Sequence, residues 1–223
     1  MGHAQGKSGA AGSTGPVPKA VVSRLSLYLR ELQHLVGDGQ ETTSSTQLGR
    51  KLGFSDAQVR KDLAYFGQFG YPGIGYRCEE LIGAIKRILG TDQPWSVCIV
   101  GVGNLGRALL GYKGFERQGF HVTAAFDIDQ SRVGRVIEGV MVYPMDRLGD
   151  VISAKGIRLG MIAVPATAAQ PVADQLVAAG IEGLLNFAPV TLSLPGSVSA
   201  VGVDLAIELE QISFAVLNRA ERG

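Results

Sequence analysis

The run Gly101-Val102-Gly103-Asn104-Leu105-Gly106 directly follows an apolar stretch, Val97-Cys98-Ile99-Val100, and opens a helix-length segment. Each glycine in such a G-x-G-x-x-G loop has a physical job. The first permits a tight turn, the second lets backbone approach a pyrophosphate, and the third allows close packing of strand and helix. The start of the helix adds N–H donors and a partial positive charge. The next strand ends in Phe126-Asp127, and Asp127 stands 21 residues beyond Gly106. An acid at that distance hydrogen-bonds the adenosine ribose hydroxyls and repels a 2′-phosphate, which points to NAD(H) over NADP(H). The expected cofactor contacts are therefore Gly101, Val102, Gly103, Asn104, Leu105, Gly106 and Asp127. A tight turn with no ligand and a coenzyme A-binding module are competing readings, and the latter leaves Asp127 without a clear task.

The surroundings of the loop have the period of an α/β fold. Residues 122–126, 159–164 and 183–187 are short apolar runs without alternation, as in strands buried on both faces. Helix-length stretches at 105–118, 144–155 and 166–180 separate them, giving βαβ units and a Rossmann-type doubly wound parallel sheet over residues 91–203. Residues 198–203 read as one more strand. The segment 204–223 carries a last helix, from Leu205 to about Ala220, whose Leu205, Ile207, Leu209, Ile212, Phe214 and Leu217 cover more than one face. Such a helix buries itself against something larger than its own sheet edge, and a second subunit is the natural partner.

Net charge is +1, but the halves differ in sign. Residues 1–90 hold eleven Lys or Arg against seven Asp or Glu, a balance of +4; residues 91–223 hold ten against thirteen, or −3. A basic front end suits a nucleic-acid partner. Pro18 opens an amphipathic helix ending near Gly37, with Leu25, Leu29, Leu32 and Leu35 among its apolar positions. A Thr42-Thr43-Ser44-Ser45 run can cap a short helix through Leu52, and Ser55 can cap a third from Asp56 to about Phe66. The glycine-rich residues 67–75 read as a short hairpin. Three helices and a hairpin, followed by a helix over 78–89, outline a winged-helix DNA-binding domain over residues 18–90. The third helix is then the recognition helix. With Val59, Leu63 and Phe66 turned inward, Ser55, Gln58, Arg60 and Lys61 lie on or near its outer face, where they can meet base edges or phosphates. A merely solvated charge pair is the alternative.

Other classes are harder to sustain. The longest uncharged stretch, 183–203, is broken by Pro189, Pro195 and Gly196, unlike a membrane span. Residues 1–17 hold no apolar run and read as a disordered tail, neither signal peptide nor anchor. Two cysteines, Cys78 and Cys98, make no disulfide framework and suit a reducing cytoplasm. Cys98 reads as a core residue, and Cys78, after the hairpin, as one that could react. His3, His34 and His121 offer no catalytic acid, no Tyr is followed by Lys four residues on, and no Cys/His spacing suits a metal. A dinucleotide site with no proton donor is a binding site before it is an enzyme. An NAD-dependent oxidoreductase with an accessory helical domain is the runner-up.

Four motifs in order carry a resemblance: Ala57-Gln58-Val59-Arg60-Lys61-Asp62-Leu63, the phrase from Phe69-Gly70 to Gly75-Tyr76, the 101–106 loop with Asn104, and Asn186-Phe187-Ala188-Pro189. Together they resemble the redox-sensing transcriptional repressors of the Rex family, over residues 21–218. The resemblance implies a homodimer that binds a palindromic double-stranded DNA operator and is released by NADH, with the C-terminal helix swapped between subunits. It adds Tyr112 and Phe187 to the cofactor contacts, and Ser45 and Tyr71 to the DNA contacts. It also implies a switch in which Arg30 holds Asp204 in the DNA-competent dimer and NADH lets Tyr112 take Asp204 instead. One departure is plain: the family's wing carries basic residues between its glycines, where this chain has Tyr71-Pro72.

Overall fold

Pro18 is the N-cap of the first helix, α1 (Lys19–Gly37). The computed structural model describes residues 17–220, with side chains as far as Asn218, so the tail expected over 1–17 lies outside the described residues except for Val17. The chain divides into two compact units between Gln93 and Pro94.

In the first unit, Leu25, Tyr28, Leu29, Leu32 and Leu35 recur at helical spacing along α1 and are buried with Leu81 and Ile85 of α4 (Cys78–Leu89). Between them run β1 (Thr42–Thr43), α2 (Ser45–Leu52), α3 (Asp56–Ala64) and β2 (Tyr76–Arg77). Both short helices begin on serine caps. Ser44 Oγ accepts the Gln47 amide and Ser55 Oγ the Gln58 amide, each at 3.1 Å, and such a cap contributes about 1 kcal/mol. A side chain at Gly49 would strike the Phe54 carbonyl, so the close crossing of α2 on the α3 approach requires glycine.

The hairpin expected over 67–75 is reduced to a single bridge, Tyr71 to Gly75. Gly70, Gly73 and Gly75 all have positive φ, curling the segment too tightly for a ladder. The strand that follows, β2, pairs antiparallel with β1, so Thr42 and Thr43 are strand residues rather than part of the cap. Gly75 packs beneath this pair, where a Cβ would meet the Thr43 carbonyl.

The second unit contains β3 (Trp95–Val100), α5 (Asn104–Leu110), α6 (Gly114–Arg117), β4 (Phe120–Asp127), β5 (Val136–Ile137), β6 (Val140–Pro144), α7 (Leu148–Lys155), β7 (Leu159–Ile162), α8 (Ala166–Ala178), β8 (Gly183–Asn186), β9 (Ser199–Gly202) and α9 (Leu205–Ala220). The sheet order is β5-β6-β4-β3-β7-β8-β9, parallel except for the β5–β6 pair. Leaving out β5, this is the doubly wound order 3-2-1-4-5-6, whose crevice for ligands opens beyond the strand C-termini where the order reverses, between β3 and β7. Phe126, Ile162 and Leu176 are fully buried in the core on one face of the sheet, and Ile99 and Val142 in the core on the other.

Three details depart from the sequence pattern. The helix expected over 105–118 breaks at Gly111-Tyr112-Lys113 into α5 and α6. The stretch 144–155 begins as the end of β6 and a 3₁₀ turn (Met145–Arg147) before α7. The β5–β6 hairpin was not expected at all; it turns at Glu138 and Gly139, both at positive φ. On α9, Leu205, Leu209, Phe214 and Leu217 are all about two-thirds exposed or more in the single chain.

Candidate functional site

The loop after β3 is shaped by its glycines. Gly101, at φ +94°, lies against the Ala163 carbonyl after β7, and Gly106 against the Gly101 carbonyl, so a side chain at either would collide with backbone. Gly103 is different: a Cβ there would meet nothing within 4 Å. The middle glycine thus faces open space at the start of α5, where, as the N-cap, it supplies no side-chain acceptor to the N–H groups of the first turn. Val102 is fully buried, Leu105 is exposed, and Asn104 is the first residue of the helix.

Asp127 ends β4 almost wholly buried. Its Oδ2 accepts the Val102 amide at 2.7 Å and Arg132 Nη1 at 3.1 Å, and its Oδ1 accepts the Asp129 amide at 2.9 Å. Burial alone would push this carboxyl up; the bonds from the Asp129 and Val102 amides and from Arg132 outweigh it and hold the group below the usual carboxylate range. A carboxylate offers about four acceptor positions, so about one is left for a ribose hydroxyl. The glycine cradle and this acid fit a dinucleotide. Arg132 was not singled out by the sequence reading, because no motif marks a cation five residues past the acid.

Phe187 follows β8 at the same edge of the sheet, its amide bonded to the Ile162 carbonyl at 2.9 Å. The turn beyond it is stapled by the buried Asn186, whose Nδ2 donates to the Ala188 and Val190 carbonyls and whose Oδ1 accepts the Ala188 amide. Asn186, Pro189, Thr191, Asp204 and Ile207 line a cavity of about 420 Å³ at the ends of β8 and β9. Asp204 Oδ1 also accepts the Ala206 amide at 2.9 Å.

Tyr112 lies two residues past the end of α5, the seven-residue helix that opens in the glycine loop and rises about 10 Å, with its ring edge-on to Phe115 at 5.0 Å, beside Phe120, Val122 and Glu138.

On α3, Val59 and Leu63 are buried, and Arg60 and Lys61 are exposed. Arg60 Nη1 bridges Asp56 at 2.7 Å and Ser45 Oγ at 3.1 Å, so Ser45 is nearly buried under the guanidinium rather than displayed. Ser55 is exposed, with its oxygen engaged as the α3 cap. The Gln58 amide donates inward to Asp62, a fully buried acid that also holds Arg24 and Tyr28 of α1. The sequence reading missed this network, since the spacing of Arg24 and Asp62 carries no local signal. Tyr71 in the glycine-rich 67–75 segment is half exposed; its hydroxyl donates to Glu80, and the Arg77 guanidinium, itself paired with Glu80 at 3.2 Å, stacks on its ring at 5.1 Å. Arg30 is exposed on α1.

Cys78 does not have the exposure expected of a reactive thiol. It is fully buried at the start of α4, and burial raises its pKa. Cys98 is fully buried in β3 with its thiol pushed up to about 12. Among the described residues, no helix is long and apolar enough to cross a membrane.

Residues 92–190 match a family model described as "CoA binding domain", and residues 16–64 one described as "Putative DNA-binding protein N-terminus". A redox-sensing transcriptional repressor Rex from Desulfitobacterium hafniense is 48% identical over 91% of this chain and 97% of its own, and one from Streptomyces avermitilis is 46% identical over 89% and 79%. Among solved structures, RSP in complex with β-NAD⁺ and operator DNA superposes with a TM-score of 0.86 at 38% identity, covering 93% of this chain and 95% of that one. RSP in complex with β-NADH superposes at 0.82 and 36% identity, covering 93% and 97%.

Proposed function

The chain belongs to the Rex family of redox-sensing transcriptional repressors, and from that premise we propose that it represses transcription from an operator and leaves it when NADH occupies the glycine loop. NAD(H) is the effector and double-stranded operator DNA the macromolecular partner. Residues 18–90 form the DNA-binding domain, 91–203 the cofactor domain, and 204–223 the element that joins two copies. The reading is that of a regulator without catalytic turnover, working in the cytoplasm.

The observation that carries the reading is the union, in one chain, of the open Gly103 cradle backed by Asp127 with a capped helix displaying Arg60 and Lys61. Gly101, Gly103, Gly106 and the first turn of α5 would hold the pyrophosphate, Asp127 the adenosine ribose, and Phe187 would flank the far end of the dinucleotide. The nicotinamide ring supplies the signal, being cationic when oxidised and neutral when reduced. Arg60 and Lys61 would meet the DNA, with Ser55, Gln58 and Tyr71 beside them and Ser45 acting through Arg60. The apolar surface of α9 supports a homodimer, which suits a palindromic operator.

In the switch, Arg30 holds Asp204 in the DNA-competent dimer, and NADH transfers Asp204 to Tyr112. A ligand shifts an equilibrium only by its differential affinity for the two states, and two sites per dimer share the requirement. The test is a DNA-binding titration on a palindromic operator with NADH added, then NAD⁺. Release by NADH and retention with NAD⁺ are expected. Steady cofactor oxidation with small alcohols or carbonyls would favour an oxidoreductase instead.

A further inference from the structure

Four donors converge on Asp62, a residue of the recognition helix with no exposed surface. Arg24 grips it with both Nε, 2.6 Å from Oδ2, and Nη2, 2.8 Å from Oδ1. The Tyr28 hydroxyl donates to Oδ2 at 2.7 Å, and Gln58 Nε2 to Oδ1 at 2.7 Å. Burial would push the carboxyl up, but the bonds from Arg24, Tyr28 and Gln58 outweigh it, so Asp62 stays ionised. Three of these bonds come from α1 and the fourth from one turn earlier on α3.

A buried ion pair is a weak way to hold two helices together, because an apolar contact of similar volume does as well. What it does provide is direction. An ionised carboxylate only accepts, so the side of Gln58 that meets it has to be the NH₂ group. The amide plane of a partly exposed glutamine is thereby fixed before any ligand arrives. Glutamine reads a base edge through its N–H and C=O together, which demands that plane in one orientation.

We propose that Asp62 is a positioning residue for operator reading, orienting the Gln58 amide and locking the rotation of α3 against α1 through Arg24 and Tyr28. The proposal rests on the DNA-binding function argued above. It separates sequence discrimination, which passes through Asp62, from overall affinity, which comes from exposed cations such as Lys61.

The test uses the full chain without nucleotide. A duplex is selected from a random pool by the parent protein, and affinities for it and for a scrambled duplex of equal length are measured by fluorescence anisotropy. Asp62→Asn and Gln58→Ala are each expected to lower the selected-to-scrambled ratio about tenfold, the scale of one base contact, with the selected duplex losing more affinity than the scrambled one. The double variant should lose less than the sum of the two single losses, because the part of the Asp62 effect that runs through Gln58 is already gone in Gln58→Ala. An unchanged ratio, equal losses on both duplexes, or additive losses would overturn the proposal. Should Asp62→Asn fail to fold, Tyr28→Phe removes one donor and keeps the ring; a lowered ratio there supports the proposal and an unchanged one overturns it. If the parent selects no duplex, the DNA-binding premise fails, and that is seen before any variant is made.

Discussion

Asp127 fastens the end of β4 to the glycine loop: its Oδ2 accepts the Val102 amide at 2.7 Å, joining residues 25 positions apart in the chain. The acid that the fingerprint assigns to the ribose is therefore also bonded to the glycine loop itself. Arg132, bonded to the same oxygen, partly offsets its charge toward a 2′-phosphate.

Opposite changes in cofactor preference follow from these two side chains. Asp127→Ala is expected to weaken NADH binding about tenfold, as loss of a charged hydrogen bond does, and to narrow the NADH-over-NADPH gap. Arg132→Ala should widen that gap by removing the cation nearest the ribose site. Calorimetry with both cofactors checks this; equal affinity of the parent for NADH and NADPH would deny Asp127 its role.

If α3 is the recognition helix proposed above, base reading and phosphate contact should be separable by substitution. Arg60 is held by Asp56 and Ser45 with the rest of its guanidinium outward, so Arg60→Ala should cost about 1 to 3 kcal/mol on the operator alone. Lys61 is exposed, and Lys61→Ala should weaken all sequences alike and reduce the salt slope by about 1. A double variant with parental operator affinity would move the DNA surface elsewhere.

What was legible in the sequence was whatever is local or periodic. The serine caps, the apolar stripe of α1 and the unalternating strands each follow from residues close together in the chain, and the glycine loop with its acid has a fixed spacing. Relationships set by long-range packing were not legible. Thr42–Thr43 became a strand only because Tyr76–Arg77 lies beside it. Arg132 and the Arg24–Asp62 pair have no spacing rule, and the burial of Cys78 depends on α1 covering the start of α4. The break at Gly111–Lys113 was hidden because apolar residues continue at helical spacing on both sides of it.

Acid should loosen the first unit through Asp62. Its folded pKa lies below the ordinary carboxylate value of about 4, so its stabilising contribution is complete above that pH and is lost as pH falls through the lowered value. Thermal melts between pH 6 and pH 2 should show a midpoint that falls below about pH 4, less steeply in Asp62→Asn. An equal slope in the variant would assign the acid sensitivity to other carboxylates.

Tyr112 has its phenol ring edge-on to Phe115 and so close to Gly114 that a Cβ on Gly114 would run into it. The two residues allow two different perturbations of the switch. Tyr112→Phe keeps the ring packed and removes the hydroxyl, so NADH binding should stay within about twofold of the parent. Release from DNA should then need about tenfold more NADH, the cost of a charge-assisted hydrogen bond lost from one state only. Gly114→Ala keeps the hydroxyl but displaces the ring, and it should blunt release in the same direction. Both are read by titrating NADH into the protein–operator complex, with cofactor affinity measured separately without DNA. A Tyr112→Phe protein that leaves the operator at the parent's NADH concentration would show that the redox signal travels through another contact.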